Sequence, residues 1–224
     1  MIVFPATPQP NGVEVQLLDF GMLLRSPTGG SSLRVDRAGS RFQFTVSYPP
    51  MKPEVARQFI ARLQKAKREG LRINFPLLDA DQGSPGSPVV DGAGQSGTTL
   101  KLRGLTPGYN ILEGYWLTLI GEDDARYLHQ ASSPAVAGGD GKATFTIEPP
   151  LRWPMPNGAQ VLLAQPTVDG FLIDAVGWSY SVDRLVRLGG SIVIEEAEGL
   201  AGMPAAGPTF DEGTTPPTFD MDTV

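Results

Sequence analysis

The chain has 224 residues, 41% hydrophobic and 19% charged, enough apolar material for a core in one large domain or two small ones. Its net charge of −6 is uneven: residues 199–224 hold Asp211, Glu212, Asp220 and Asp222 and no Lys or Arg, which leaves the body at −2 and argues against nucleic acid as the main partner. The absence of cysteine excludes a disulfide framework and thiolate metal sites, and suits a reducing cytoplasm and an extracellular setting alike; no apolar run nears the roughly 18 residues of a membrane span, and residues 1–5 lack the basic and apolar regions of a signal peptide.

The 27 Gly and 21 Pro favour short strands joined by turns over a helical bundle. Residues 13–20 begin with apolar/polar alternation and read as a strand. Residues 25–40 are turn-rich, with Ser26-Pro27-Thr28-Gly29-Gly30 at the front. From Arg41 to Tyr48 the alternation is unbroken: Phe42, Phe44, Val46 and Tyr48 share one face, the pattern of a half-buried strand. Pro49-Pro50 stops it.

Residues 53–69 are the one convincing helix. Pro53 suits its first turn, Val55, Phe59 and Leu63 recur at four-residue steps, and Gly70 suits its terminator. The basic cluster Arg57, Arg62, Lys65, Lys67 and Arg68 reads as a solvated face, concentrated where the helix dipole is negative. A short strand follows at 71–75. Residues 79–88 form a loop or linker, the best candidate boundary. Short strands are then expected at 98–103, 116–120, 126–130, 143–148 and 160–164, close enough together for a small barrel or sandwich. Alternation returns over 177–197, and residues 199–224 lose periodicity and read as extended or disordered.

Few residues suggest chemistry. Gly92-Ala93-Gly94-Gln95-Ser96-Gly97 fits the dinucleotide fingerprint, but that fingerprint needs a helix directly after it to receive the pyrophosphate. Thr98–Arg103 alternates as a strand, so a hairpin or strand-entry loop is expected. Asp79, Asp81 and Gly83 hint at a calcium loop, yet the twelfth position is Val90 where a Glu is required, so an Asx turn is expected. Glu122-Asp123-Asp124 reads as a solvated hairpin tip. The single histidine, His129, makes a multi-imidazole metal site impossible and argues against a Ser-His-Asp triad. It is expected to be structural, in a strand whose polar positions face out. Nothing marks a carboxylate pair for glycoside hydrolysis. Trp116 and Trp178 read as core, and Trp153, in an expected loop, as the candidate carbohydrate or partner contact.

The run from Ser84 to Leu100, Ser-Pro-Gly-Ser-Pro-Val-Val-Asp-Gly-Ala-Gly-Gln-Ser-Gly-Thr-Thr-Leu, resembles a segment of tail proteins in phages and prophages of Gram-negative bacteria. Glu113–Leu117, Arg126–Gln130, Asp140–Ile147, Pro149–Arg152, Asp36–Phe42, the helix after Met51, Trp178–Tyr180 and Ile192–Glu196 are similar to the same group, so the resemblance spans about residues 13–198. The group is that of distal tail proteins and related baseplate or minor tail proteins. The lack of a catalytic constellation in the residues leads to the expectation of a non-catalytic protein with no cofactor, metal or membrane insertion, and the resemblance implies a virion protein. It would form a ring, commonly a hexamer, joining the tail tube to the hub, tip and receptor-binding apparatus, and be assembled in the host cytoplasm.

The expected fold is mainly β: a discontinuous β-sandwich-like ring domain (1–83 and 171–198) carrying the helix, an inserted small β-barrel (84–170), and an acidic extended tail (199–224). The alternatives are another minor tail, tube or adaptor protein, and a carbohydrate-binding module contacting the host surface.

Overall fold

The computed structural model describes residues 1–25, 29–35, 39–77, 81–121, 124–174, 176–181, 183 and 185–197. The expectations for Ser26–Thr28, Asp36–Ala38, Asp79, Glu122-Asp123, Val182 and the tail from residue 198 lie outside these residues.

The chain is mainly β with one helix. In chain order the first elements are β1 (Ile2–Val3), β2 (Gly12–Leu18), β3 (Met22–Leu24), β4 (Leu33–Val35), β5 (Arg41–Ser47), α1 (Pro53–Glu69) and β6 (Leu71–Asn74). Next come β7 (Gly86–Val90), β8 (Gln95–Leu105), β9 (Asn110–Ile111), β10 (Trp116–Ile120), β11 (Arg126–Ala131), β12 (Ala135–Val136), β13 (Ala143–Met155) and β14 (Val161–Leu162). The last are β15 (Thr167–Leu172), β16 (Trp178–Tyr180), β17 (Val186–Leu188) and β18 (Ile192–Glu196).

Two six-stranded sheets dominate. The first runs β1-β6-β15-β18-β5-β2, drawing on both ends of the described chain. Its β5 carries the predicted alternation: Phe42, Phe44 and Val46 are buried between half-exposed neighbours. β18 lies antiparallel to β5 with Ile194 opposite Phe44, so Ile192 and Ile194 enter the same core. The helix has the expected bounds. Pro53 opens it, and Gly70, at φ 74°, closes it by donating its N–H to the Ala66 carbonyl at 2.8 Å. Its buried stripe, Ala56, Phe59, Ile60, Leu63 and Ala66, packs on this sheet, with the Phe59 ring edge-on to Phe4 at 4.9 Å and to Tyr48 at 4.7 Å.

The second sheet runs β14-β10-β11-β13-β8-β7 and is nearly closed. Its two end strands meet at a Val89–Gln160 bridge, where the Val90 N–H donates to the Ala159 carbonyl and the Gly158 N–H to the Val90 carbonyl, both at 2.9 Å. Leu100, Leu102, Leu117, Leu119, Phe145 and Ile147 fill the interior. β11 is buried on both faces: Tyr127 belongs to this second core and Leu128 to the first.

Three details differ from the sequence expectation. β13 continues through Pro149-Pro150-Leu151-Arg152-Trp153, which was expected to leave the sheet as a loop; register shifts after Thr146 and Leu151 let it bend without ending. β15, with no alternation to announce it, is buried along nearly its whole length and joins the first sheet, so residues 167–170 belong there and not with the inserted segment. Trp178, expected in the core, is exposed on the two-stranded β16–β17 ribbon.

Phe59→Ala removes a fully buried ring between two aromatic neighbours and should cost about 3–5 kcal/mol. Val55→Ala, on the exposed side of the same helix, should change stability by less than about 0.5 kcal/mol. Urea midpoints of the two variants check the contrast.

Candidate functional site

The most tightly organised polar cluster sits where the two sheets meet. Ile192, Ile194 and Glu196 share the inward face of β18, so a carboxylate occupies a position the alternation reserves for an apolar side chain. Its side chain is fully buried. Glu196 Oε2 accepts from the Phe42 N–H at 3.0 Å and Oε1 from the Leu128 N–H at 2.8 Å, which ties β5 of the first sheet to β11 of the second. Arg152 on β13 brings Nη2 to 2.5 Å from Oε2, itself only 3% exposed. That nitrogen makes no well-aligned hydrogen bond, so the contact is an ion pair more than a directed bond. Arg152 Nε donates to the Ser40 carbonyl at 3.2 Å and Nη1 to the Ala197 carbonyl at 3.3 Å, and its guanidinium lies 5.6 Å from the centre of the Tyr127 ring. Burial pushes the Glu196 carboxyl above its ordinary value, against the opposing pull of Arg152 and the two amides.

His129 is part of the same region. It was expected on an outward-facing position, but its residue is fully buried. Nδ1 lies 2.8 Å from the Pro149 carbonyl, which can only accept, so Nδ1 carries the proton and Nε2 is the bare nitrogen. Nε2 has no hydrogen-bond partner. Burial lowers the imidazole pKa to about 3, and the nearby Arg152 charge pushes the same way. His129 is therefore a neutral fixture and is poorly suited to accept a proton at neutral pH.

A second set of bonds reinforces the junction. Arg72 on β6 grips Asp169 on β15 with two bonds, at 2.7 and 2.8 Å, and reaches the Asp124 carboxylate and, at 2.9 Å, its carbonyl. Asp124 is thus more than a solvated hairpin tip, and Arg72 holds its carboxyl below the usual carboxylate range. Thr118 Oγ1 of β10 accepts from the Thr167 N–H at 2.9 Å and donates to the Thr167 carbonyl at 2.6 Å. The buried Gln82 side chain pairs with the Trp116 backbone, accepting at 2.6 Å and donating at 2.8 Å.

Apart from Trp116, the other sequence candidates lie outside this cluster. Residues 91–94 turn the chain from β7 into β8, and the Gly94 N–H donates to the Met155 carbonyl at 2.9 Å. A strand follows, so no helix N-terminus waits for a phosphate. Asp81 Oδ1 accepts from the Gly83 N–H at 2.8 Å, the expected Asx turn. Trp116 is packed between Phe42 at 5.1 Å and Phe75 at 4.5 Å. Trp153 is half exposed, on a strand instead of a loop. Among the described residues no group of three or more His, Cys, Asp or Glu side chains could hold a metal ion, and no helix is long and apolar enough to cross a membrane.

Sequence reasoning missed an exposed apolar strip near the N-terminus. Val15 and Leu17 on β2, then Phe20, then Met22, Leu23 and Leu24 on β3 and Leu33 and Val35 on β4 are all exposed. β2 is an end strand of the first sheet, hydrogen-bonded only to β5. Its alternation was legible, but which face the rest of the sheet would leave uncovered was not.

No known protein-family model matches the chain. Among curated proteins, aminopeptidase N of Lactobacillus helveticus is 24% identical over 147 residues, which is 63% of this chain and 17% of that protein. The chain thus spans well under a fifth of this relative's length, and a likeness of that extent carries over neither a family nor an activity.

The buried imidazole sets a pH dependence. A base whose folded pKa lies below its unfolded value stabilises the fold above the unfolded pKa, near 6.5, and that stability is lost as pH falls toward the folded value of about 3. Between pH 7 and pH 5 the wild-type chain should lose about 2 kcal/mol more than His129→Asn, whose amide can still donate to Pro149. Urea titrations at the two pH values measure the difference.

Proposed function

We propose that the chain is a structural component of a phage tail tip, a distal tail protein whose copies form a ring joining the tail tube to the baseplate and receptor-binding apparatus. The observation that carries this reading is the apolar strip on β2, β3 and β4. A seven-residue end strand with a free hydrogen-bonding edge, beside a ribbon of exposed Leu, Met and Val, is a surface that natural proteins cover. A copy of the same chain would cover it in a head-to-tail contact that closes on itself. The stretch from Ser84 to Leu100 that resembles tail proteins holds β7, the turn and the first half of β8, in the other sheet from β2. The virion location, the tube and hub partners and the hexameric state belong to this proposal.

Trp153 favours a second reading. It is 50% exposed on β13, and an accessible indole is a platform for a sugar ring, so the second sheet would serve as a carbohydrate-binding module at the host surface. A tube or adaptor subunit is the variant of the first reading in which the contact does not close.

Sedimentation and negative-stain imaging of the full chain separate these readings. A closed ring of about six copies is expected, and Leu17→Asp combined with Leu24→Asp should reduce it to monomers whose unfolding free energy stays within about 0.5 kcal/mol of that of unassembled wild type. A monomer at every concentration overturns the ring, and a long open polymer replaces it with a tube subunit. Glycan-array binding that Trp153→Ala abolishes, by a chain that forms no ring, establishes the carbohydrate reading in its place.

A further inference from the structure

The sequence beyond Ala197 carries a short duplication. Pro208-Thr209-Phe210-Asp211 and Pro217-Thr218-Phe219-Asp220 are the same tetrapeptide, nine residues apart. Each places a carboxylate directly after a phenyl ring. Phe210 and Phe219 are the only aromatic residues after Ala197, and the segment holds five acids and no Lys or Arg. A segment of this kind has one apolar anchor and one charge to offer at each copy.

The folded body has a site of complementary chemistry. Leu63, Gln64 and Lys67 of α1, with Val176 and Trp178, line a hollow of about 240 Å³. A dry cavity of roughly 150 Å³ is enough for a benzene ring. Its lining combines the buried Leu63 with the exposed Trp178. The one charged residue of the lining, Lys67, is cationic, while the exposed Asp174 lies nearby. Lys67 is fixed there by three carbonyls, those of Leu172, Ile173 and Asp174, at 2.9, 2.7 and 3.1 Å. Arg57, seven residues before Gln64, and Arg68, four after it, share Gln64's stripe of the helix, and both are exposed. Glu54 and Glu69 sit off that stripe, although Arg68 also reaches Glu69 at 2.7 Å.

The reach is short. The Ala197 N–H donates to the Asp169 carbonyl, and β15 runs from there to Leu172, whose carbonyl accepts from Lys67. Three residues of strand cover only about 10 Å. Phe210 follows Ala197 by thirteen residues, which can span up to about 43 Å, and Phe219 stands further along still. Either ring can reach the hollow of its own chain.

We infer that the hollow between α1 and β16 is a docking site for the Pro-Thr-Phe-Asp segments of this chain's own C-terminal region, the phenyl ring entering the hollow and the aspartate facing the helix cations. With two segments and one hollow per chain, one segment docks at home and the other is left to engage a neighbouring copy. This inference stands on the duplication, the hollow and the charge pattern, and it holds whether or not the chain forms a tail ring.

The natural chain has no cysteine, so engineered pairs can be followed without background. In the full chain, Gln64→Cys is combined with Thr209→Cys or with Thr218→Cys, and disulfide formation under a mild oxidant is timed. At least one pair should close ten or more times faster than the same pair carrying Phe210→Ser and Phe219→Ser, and faster than a pair using the exposed Ser132→Cys on the second sheet as the body thiol. Arg57→Glu with Arg68→Glu, or a rise from 0.05 to 0.5 M salt, should slow it. A product of monomer mass shows docking within one chain and a product of dimer mass docking between copies; both support the inference. Equal rates for the Phe and Ser chains, or for the Gln64 and Ser132 thiols, overturn it and leave the hollow to another occupant.

Discussion

The two sheets are locked together by one buried carboxylate. Taking Glu196 and Arg152 out of water costs several kcal/mol per ion, and their mutual attraction repays this only where the remaining polar atoms are also satisfied. Here they largely are. Glu196 takes amide hydrogens from β5 and β11, and Arg152 gives hydrogens to the carbonyls of Ser40 and Ala197. Four segments far apart in sequence converge on one ion pair. The gain over an apolar plug is specificity: a leucine at position 196 would fill space but leave two buried amides unanswered. The observed placement of the barrel-like sheet on the first sheet answers most of these groups at once, and the Arg72 and Thr118 bonds cross the same junction.

The parts of the fold legible in the sequence are those whose burial is one-sided. β5 faces the core with every second residue, and α1 with every third or fourth, so period alone reveals them. β15 is buried on both faces, shows no period and was missed; β13 was legible over 143–148, where every second residue is buried, but its paired prolines hid the continuation to Met155. β1, β3, β4, β9 and β12 are two or three residues long, shorter than any window in which periodicity has meaning. A small barrel or sandwich was foreseen from closely spaced strands, because Gly and Pro separate them.

The junction itself was partly legible. Ile192, Ile194 and Glu196 stand on one face of a strand, and a carboxylate in the third apolar place of an alternation signals either an exposed end or a buried ion pair. What the sequence withholds is the partner. Arg152 lies 44 positions away in a stretch that reads as a loop, and only the bend of β13 brings it across. The same reasoning applies to His129, whose neighbours suggested a half-exposed strand. The first sheet covers the outer face of β11, and the barrel-like interior covers the other.

Edges decide where such a molecule can meet a partner. The second sheet nearly abolishes its own, because β7 and β14 bond across the Val89–Gln160 bridge. The first sheet ends on one side in the two residues of β1, too short to template another strand. On the other side it ends in the seven residues of β2, whose one charged side chain is Glu14. An end strand usually guards itself with lysine, proline or a bulge; β2 has none of these and continues into the apolar β3–β4 ribbon. Burying such a strip recovers on the order of 25 cal/mol for each Å² of apolar surface, less the cost of desolvating the charges beside it, which include Glu14, the Asp19–Arg34 pair and the Arg41 guanidinium over Phe20. The buried ion pair ties the two sheets together, and the strand order of the first sheet leaves β2 as the one long open edge among the described strands of the two main sheets.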